Sequence, residues 1–354
     1  MNKDIHYLKK LFSEPFDAKR AGGQTNRNYV VSFRKPFNPF HKVRVALKDL
    51  KGNKFRARKF FVRLPWENVL NRKTEGKNIL ALSRNKKVQR ILPRYFVYVL
   101  SKRNILDPKD KNRYSVPDGT MATEYIPGRE FSMRHFRQVR YQRALARTFH
   151  VFHASGVRFS NPYDPFRNEI NKYRVAAFRH TLKKLLGKET IAQLKKLELK
   201  AQQRLRSLKR GVSTHNDFIF SNFLVGRAGR IYLLDFEYAG LNKKGGIFYD
   251  IGYPLRDSFF NPPQISKKTF ESFLNQADKA YKRKLDREQI YWSIVAALLV
   301  GIWWGVLRYY SVPKKEQPYF LRYVQRGVKG LLGLVHELKE KREPVLPALL
   351  ERTC

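Results

Sequence analysis

Residues His215 to Val225 read HNDFIFSNFLV, and LLDFEYAG follows at Leu233 to Gly240. Asp217 and Asn222 stand five apart on a short polar stretch between strand-like apolar runs, and Asp235 comes directly after the hydrophobic IYLL. Carboxylate and amide oxygens are hard donors of the kind magnesium prefers. Phosphoryl transfer from ATP asks for little else: one carboxylate to orient the accepting hydroxyl, and oxygen ligands to hold a divalent ion on the phosphates. In that chemistry Asp217 faces the acceptor, Asn222 turns to the metal, and Asp235 is the main metal ligand. Asp and Asn are also ordinary turn residues, but the strand-like flanks and the LLDFE that follows favour the chemical reading. His215 is expected to support the loop rather than act as a base.

Such residues need elements to hold them. The first third reads as short strands rich in β-branched and aromatic residues: Asn28 to Phe33, Val43 to Leu47, Lys59 to Trp66, Tyr95 to Ser101 and Thr120 to Ile126. One helix interrupts them, from Asn71 to Asn85, with Ile79, Leu80 and Leu82 on one apolar face. Arg34 to Arg58 is notably basic and reads as a loop or hairpin added between two strands. After Pro127 and Gly128 the pattern turns helical. Phe136 to Gly156 ends at a glycine, as helices do, and the helical character continues through Lys172 to Gly211. An extended island from Ser213 to about Phe236 follows, then helices from roughly Lys268 to Lys341. The expected fold is α+β and two-lobed: a β-rich nucleotide-binding lobe over 1–123, a hinge at 124–128, and a helical catalytic and acceptor-binding lobe over 129–354.

Composition limits the alternatives. The chain has 354 residues, 42% apolar and 14% aromatic, which suits globular lobes with real cores. Lys plus Arg number 73 against 29 Asp plus Glu, a formal charge of +44 that attracts any anion. The single cysteine, Cys354, argues against disulfides, cysteine metal sites and a thiol nucleophile. MNKDIHYLKKLF lacks an apolar core of signal-peptide length, so export is not expected and a cytoplasmic location is. Ile290 to Leu307 carries no charge and approaches the length of a membrane span. It is a solitary run with tryptophans in its middle rather than at its ends, so a buried core helix is the expected form.

Further residues fit the same chemistry. Gly22 and Gly23 let backbone approach phosphates closely, and Thr25 and Asn26 add side-chain donors. Arg63 lies on a strand between apolar residues, where a charge is costly unless phosphate or Glu75 meets it. HNDFIFSNFLV, LLDFEYAG and YDIG together resemble the choline/ethanolamine kinase branch of the aminoglycoside phosphotransferase-like kinases, which have a protein-kinase-like fold. The resemblance runs from about Gly22 to Tyr323. AGGQTNRNYVV is similar to that branch's phosphate-covering loop, and KFFVRLPW to its third strand. NRKTEGKNI resembles its helix with an Arg-pairing Glu, TEYIPGREFS its hinge, and ARTFHVFHASG its large-lobe helix ending near a His.

The resemblance implies ATP and Mg2+ as cofactors, with Gly22, Gly23, Thr25, Asn26, Arg63, Glu75, Glu124 and Ile126 on the nucleotide. It implies a small amino alcohol as acceptor, met by Asp257, Trp303, Phe320 and Tyr323. Asp257 stands where choline kinases tend to carry Glu, and the first tryptophan of their aromatic pair falls on Val300. The expected acceptor is choline or a related amino alcohol; ethanolamine, or another small amino alcohol, would need less aromatic enclosure and more carboxylate. Other acceptors of the same fold, namely aminoglycosides, thiamine or sugars, are the alternatives within the class. Outside it stands an inactive kinase-like protein whose basic surface engages nucleic acid or anionic membrane.

Overall fold

The computed structural model describes residues 3–12, 14–21, 26–37, 57–65, 72–99, 117–179, 185–261 and 265–340. The chain forms two compact units: Met1–Arg129 with Gly226–Glu237, and Glu130–Val225 with Tyr238–Cys354. The division is therefore not a single cut of the chain. The segment that carries Asp235 returns to the first unit.

The first unit is built on a five-stranded sheet. Its strands are β1 (Asp17–Ala21), β2 (Asn26–Phe37), β3 (Ala57–Pro65), β4 (Tyr95–Tyr98) and β5 (Met121–Glu124), in the spatial order β1-β2-β3-β5-β4. All neighbours are antiparallel. Alternation along β3 decides what each face does. Phe60, Val62 and Leu64 are fully buried in an apolar core with Tyr29, Val31 and Phe33 of β2 and with Leu8 and Leu11 of helix α1 (Lys3–Leu11). Each such side chain contributes about 1.5–3 kcal/mol by leaving water. Because side chains alternate across a strand, Arg63 points to the opposite face. Helix α2 (Arg72–Arg84) supplies Glu75 to that guanidinium, and its Ile79 and Leu82 are buried as the sequence predicts.

The sequence reading missed two elements here. Helix α1 occupies a stretch with no assigned structure, and β1 is a polar edge strand, DAKRA, whose residues are all at least partly exposed. The predicted strand at Val43 to Leu47 and most of the basic insertion lie outside the described residues.

The second unit is mainly helical. Among its described helices are α3 (Val139–His153), α4 (Lys188–Arg204), α5 (Ile247–Gly252), α6 (Lys267–Tyr281), α7 (Arg287–Ser311) and α8 (Gln317–Glu340). Helix α7 begins at an Asp286 cap whose carboxylate accepts the Gln289 N–H at 3.1 Å. It packs against α4, α5 and α8. Its apolar stretch is long enough to cross a membrane, but 89% of that window is buried inside the fold, so α7 is a core helix as expected. A three-stranded sheet orders β7 (Ser207–Thr214) beside β8 (Gly240–Lys244), with β6 (Pro162–Tyr163) on the other side of β8.

The island was expected to start at Ser213, with helix up to Gly211. Instead α4 ends at Arg204, and the chain is extended from Ser207. The polar SLKRG carries no strand signal of its own. It is drawn into the sheet by pairing with β8, and Gly211 takes φ +67 along the way.

Candidate active site

Each unit presents one group of candidate residues. In the second unit the loop after β7 is fixed from several sides. Asp250 of α5, fully buried, accepts the backbone N–H groups of His215 at 2.9 Å and Asn216 at 2.8 Å, and pairs with His153 Nε2 at 2.8 Å. Asn216 sits at φ +67, a strained region for a residue with a Cβ. Its side chain compensates: the amide donates to the Thr214 and Tyr238 carbonyls and accepts from Thr214 and Asn242. His215 is fully buried and stacks on Phe218 at 4.3 Å, and its Nδ1 accepts the Asp217 N–H at 3.3 Å. It supports the loop, as the sequence suggested.

The phenylalanines of HNDFIFSNF are the loop's anchors. Phe218 stacks face to face on Phe149 at 4.6 Å, Phe220 meets Phe131 and Phe136, and Phe223 packs on Phe149 and Phe218. Between these anchors Asp217 stays partly exposed while Asn222 is buried. Asn222 Nδ2 donates to the Asp217 carbonyl at 2.7 Å and to Asp217 Oδ2 at 2.9 Å. The amide nitrogen is thereby committed, and the oxygen is left as the atom able to bind a cation.

In the first unit a buried chain of alternating charge surrounds β3 and α2. Arg63 pairs with Glu75 at 2.7 Å and with Asp235 at 3.2 Å, and donates to the Gly119 carbonyl at 3.2 Å. Arg72 pairs with Glu75 at 3.0 Å and Glu237 at 3.2 Å, and donates to Asn26 Oδ1 at 3.1 Å. Tyr98 donates to Glu75 Oε2 at 2.6 Å. Burial alone would raise the Glu75 pKa, but Arg63 and Arg72 outweigh it and hold the carboxyl below its usual range. Burial likewise works against the Arg63 charge, yet Glu75 and Asp235 raise its pKa well above the ordinary value. Burial, with Asp235 and Glu75 nearby, pushes Glu237 up to about 8 against the pull of Arg72. Asp235 has φ +56 and a side chain 28% exposed, so it is the open carboxylate of this group. Its carboxylate, like the amide oxygen of Asn222 in the second unit, is a hard donor of the kind magnesium prefers.

The predicted nucleotide residues Gly22, Gly23 and Thr25 lie outside the described residues. Asn26 is buried against Arg72. Glu124 closes β5, where its carboxylate accepts the Arg94 N–H at 3.4 Å, and Ile126 lies beside Gly226.

The acceptor candidates are placed unevenly. Asp257 accepts the Phe220 N–H at 2.8 Å on the loop that carries Asp217. Burial raises its pKa to about 6 against the pull of Arg256. Trp303 is fully buried and meets Phe178, whereas Trp304 is partly exposed and gathers Phe320 and Tyr323, each at 5.7 Å. Trp304 is thus the tryptophan that packs with Phe320 and Tyr323, where the sequence reading names Trp303. Glu169 was also missed. It is buried, accepts from Tyr163 and Tyr173, and its pKa rises to about 7 chiefly through burial, with Asp217 adding to the rise. A carboxylate in the unremarkable FRNEIN offers no signal in sequence.

The architecture is matched by solved small-molecule kinases of the protein-kinase-like fold. Choline kinase LicA from Streptococcus pneumoniae superposes with a TM-score of 0.64 at 18% identity, over 93% of this chain and 98% of its own. The same protein has been solved in complex with AMP. A choline/ethanolamine kinase family protein from Mesorhizobium loti gives 0.58 at 18% identity, over 94% and 99% of the two chains. A Plasmodium vivax ethanolamine kinase gives 0.58 at 15% identity, over 94% and 84%. No curated protein matches by sequence. The fold is therefore that of a two-lobed, α+β kinase. The choline/ethanolamine kinase family model matches residues 19–261, more than half of the chain, and the chain belongs to that family.

Proposed function

We propose that this protein transfers the γ-phosphoryl group of ATP to a hydroxyl of a small amino alcohol, of the class that includes choline and ethanolamine. The observation that carries this reading is the tie between Asn222 and Asp217. A partly exposed carboxylate is held in one orientation by an amide whose oxygen remains available. The LicA complex with AMP supports a nucleotide as the donor.

In the reaction the acceptor oxygen forms a bond to the γ-phosphorus as the bond to the β-phosphate oxygen breaks. Asp217 orients the hydroxyl and accepts its proton, and ADP leaves. Arg63, held by Glu75, places fixed positive charge for the phosphates, and Asn26 contributes a polar side chain to the nucleotide group. Asn222 and Asp235 would hold magnesium, which when bound neutralises charge on the transferring group. Asp257 and the Trp304, Phe320 and Tyr323 rings would receive the acceptor. Aromatic faces attract an ammonium head. The need for ATP makes a cytoplasmic location part of the same reading.

The test is magnesium-dependent ATP consumption by the purified protein with choline, ethanolamine, other amino alcohols and aminoglycosides, and with Asp217→Ala as control. Stimulation by one amino alcohol that disappears in the variant upholds the proposal. Stimulation that survives in a folded Asp217→Ala protein refutes the role given to Asp217.

A further inference from the structure

Arg256 is a buried guanidinium adjoining Asp257, whose carboxylate accepts the Phe220 N–H on the loop that carries Asp217, and phosphoryl transfer as described gives it no task. It exposes only 7% of its surface. Among the described residues it makes one hydrogen bond, from Nη1 to the Ala297 carbonyl at 2.9 Å. Its Nε is buried with no hydrogen-bond partner there, and Asp257 Oδ1 lies 3.8 Å away. Asp217 and Asp257 are both among the charges that sustain its protonated form.

The surroundings are shaped to admit this group. The guanidinium lies over the Tyr253 ring at 4.2 Å and near the Phe260 ring at 5.9 Å. Gly301 of α7 makes the room: a Cβ there would stand 3.3 Å from Arg256 Nη1 and 2.5 Å from Phe260 Cζ. The Tyr253 and Phe260 faces are thus already engaged by a cation of the protein's own.

Two consequences follow for an acceptor. A permanently cationic head group brought to Tyr253 or Phe260 meets a like charge in a site with little water to screen it. An anionic oxygen meets an arginine with N–H donors to spare, in the fork geometry that suits carboxylate and phosphate. The net charge of +44 draws such a ligand from solution as well.

We propose that Arg256 binds an anionic group of the acceptor, so that the substrate is a small alcohol bearing a carboxylate or a phosphate in addition to its reacting hydroxyl. This rests on the phosphoryl transfer proposed above and parts from it at the acceptor, which carries an anion in place of, or in addition to, the ammonium head of choline or ethanolamine.

The experiment compares matched alcohols that differ by one anionic group: serine against ethanolamine for a carboxylate, and glycerol 3-phosphate against glycerol for a phosphate, with choline alongside. Wild-type protein should use at least one anionic member with kcat/KM tenfold or more above its partner. Arg256→Met should collapse that ratio, and Arg256→Lys should keep part of it. A preference for ethanolamine or choline, with the anionic members ignored, upholds the kinase reading and overturns this one. A ratio unchanged in a folded Arg256→Met overturns it too. No ATP consumption with any of these acceptors overturns both. If the variants fail to fold, wild-type ratios that favour the members without an anion still overturn the proposal.

Discussion

Asn222 holds Asp217 twice, through its backbone carbonyl at 2.7 Å and its carboxylate at 2.9 Å, both from the same amide nitrogen. The two residues act as one unit, because the bond that aims the carboxylate also turns the amide oxygen outward. Asp217→Ala should lower kcat by at least a hundredfold, the scale on which loss of one charge-positioning group is felt. Asn222→Ala should lower kcat and also raise the magnesium concentration needed for half-maximal rate. Steady-state kinetics across a magnesium titration separates the two variants, with thermal melting to confirm that each is folded.

Arg63 and Glu75 are both nearly inaccessible, with side chains 3% and 1% exposed. Removing either leaves a buried charge short of its partner, at a cost of about 3–5 kcal/mol. Arg63→Met and Glu75→Leu should therefore each unfold at much lower urea concentration than wild type. The double variant should recover part of the loss, which a double-mutant cycle in urea would measure.

Glu169 makes stability depend on pH in a defined direction. Burial raises its pKa from 4.5 to about 7, against the hydrogen bond from Tyr163. The folded state therefore holds a proton that the unfolded chain has released, and stability falls as pH rises from about 4.5 to about 7, then levels. Glu169→Gln imitates the protonated form and keeps an acceptor oxygen for Tyr163. Its urea midpoint should fall less steeply than that of wild type across this window.

Trp303 and Trp304 should part company under truncation. Trp303→Ala opens a cavity at a fully buried site and should cost about 3–5 kcal/mol. Trp304→Ala removes a partly exposed ring beside Phe320 and Tyr323, so it should cost less stability and raise the KM for the acceptor more than that for ATP. Thermal melts and acceptor titrations provide both readouts.

That last pair shows where the sequence stops being informative. Adjacent helical residues point about 100° apart, but α7 is apolar on every side, so no hydrophobic stripe tells which tryptophan faces the core. By contrast, the sequence places Arg63 on a strand between apolar residues and names Glu75 as a partner for its charge, and the two pair at 2.7 Å. Edge strand DAKRA and the start of β7 are polar, and they are held as strands by pairing with β2 and β8 rather than by an apolar pattern of their own. The spacing of Asp217 and Asn222 was legible because it is local. The links from Arg72 to Asn26 and to Glu237 join residues 46 and 165 positions apart, which no spacing rule reaches.

The choice of a guanidinium at position 63 also closes off one route of control. A lysine meeting phosphates can be silenced by acetylation, which caps its amine and removes its charge. Arg63 has no amine to cap and keeps its charge across the whole physiological range. Its fork is enclosed by Glu75, Asp235 and the Gly119 carbonyl. Acylation therefore cannot remove this charge, and control by that route has to act at another residue.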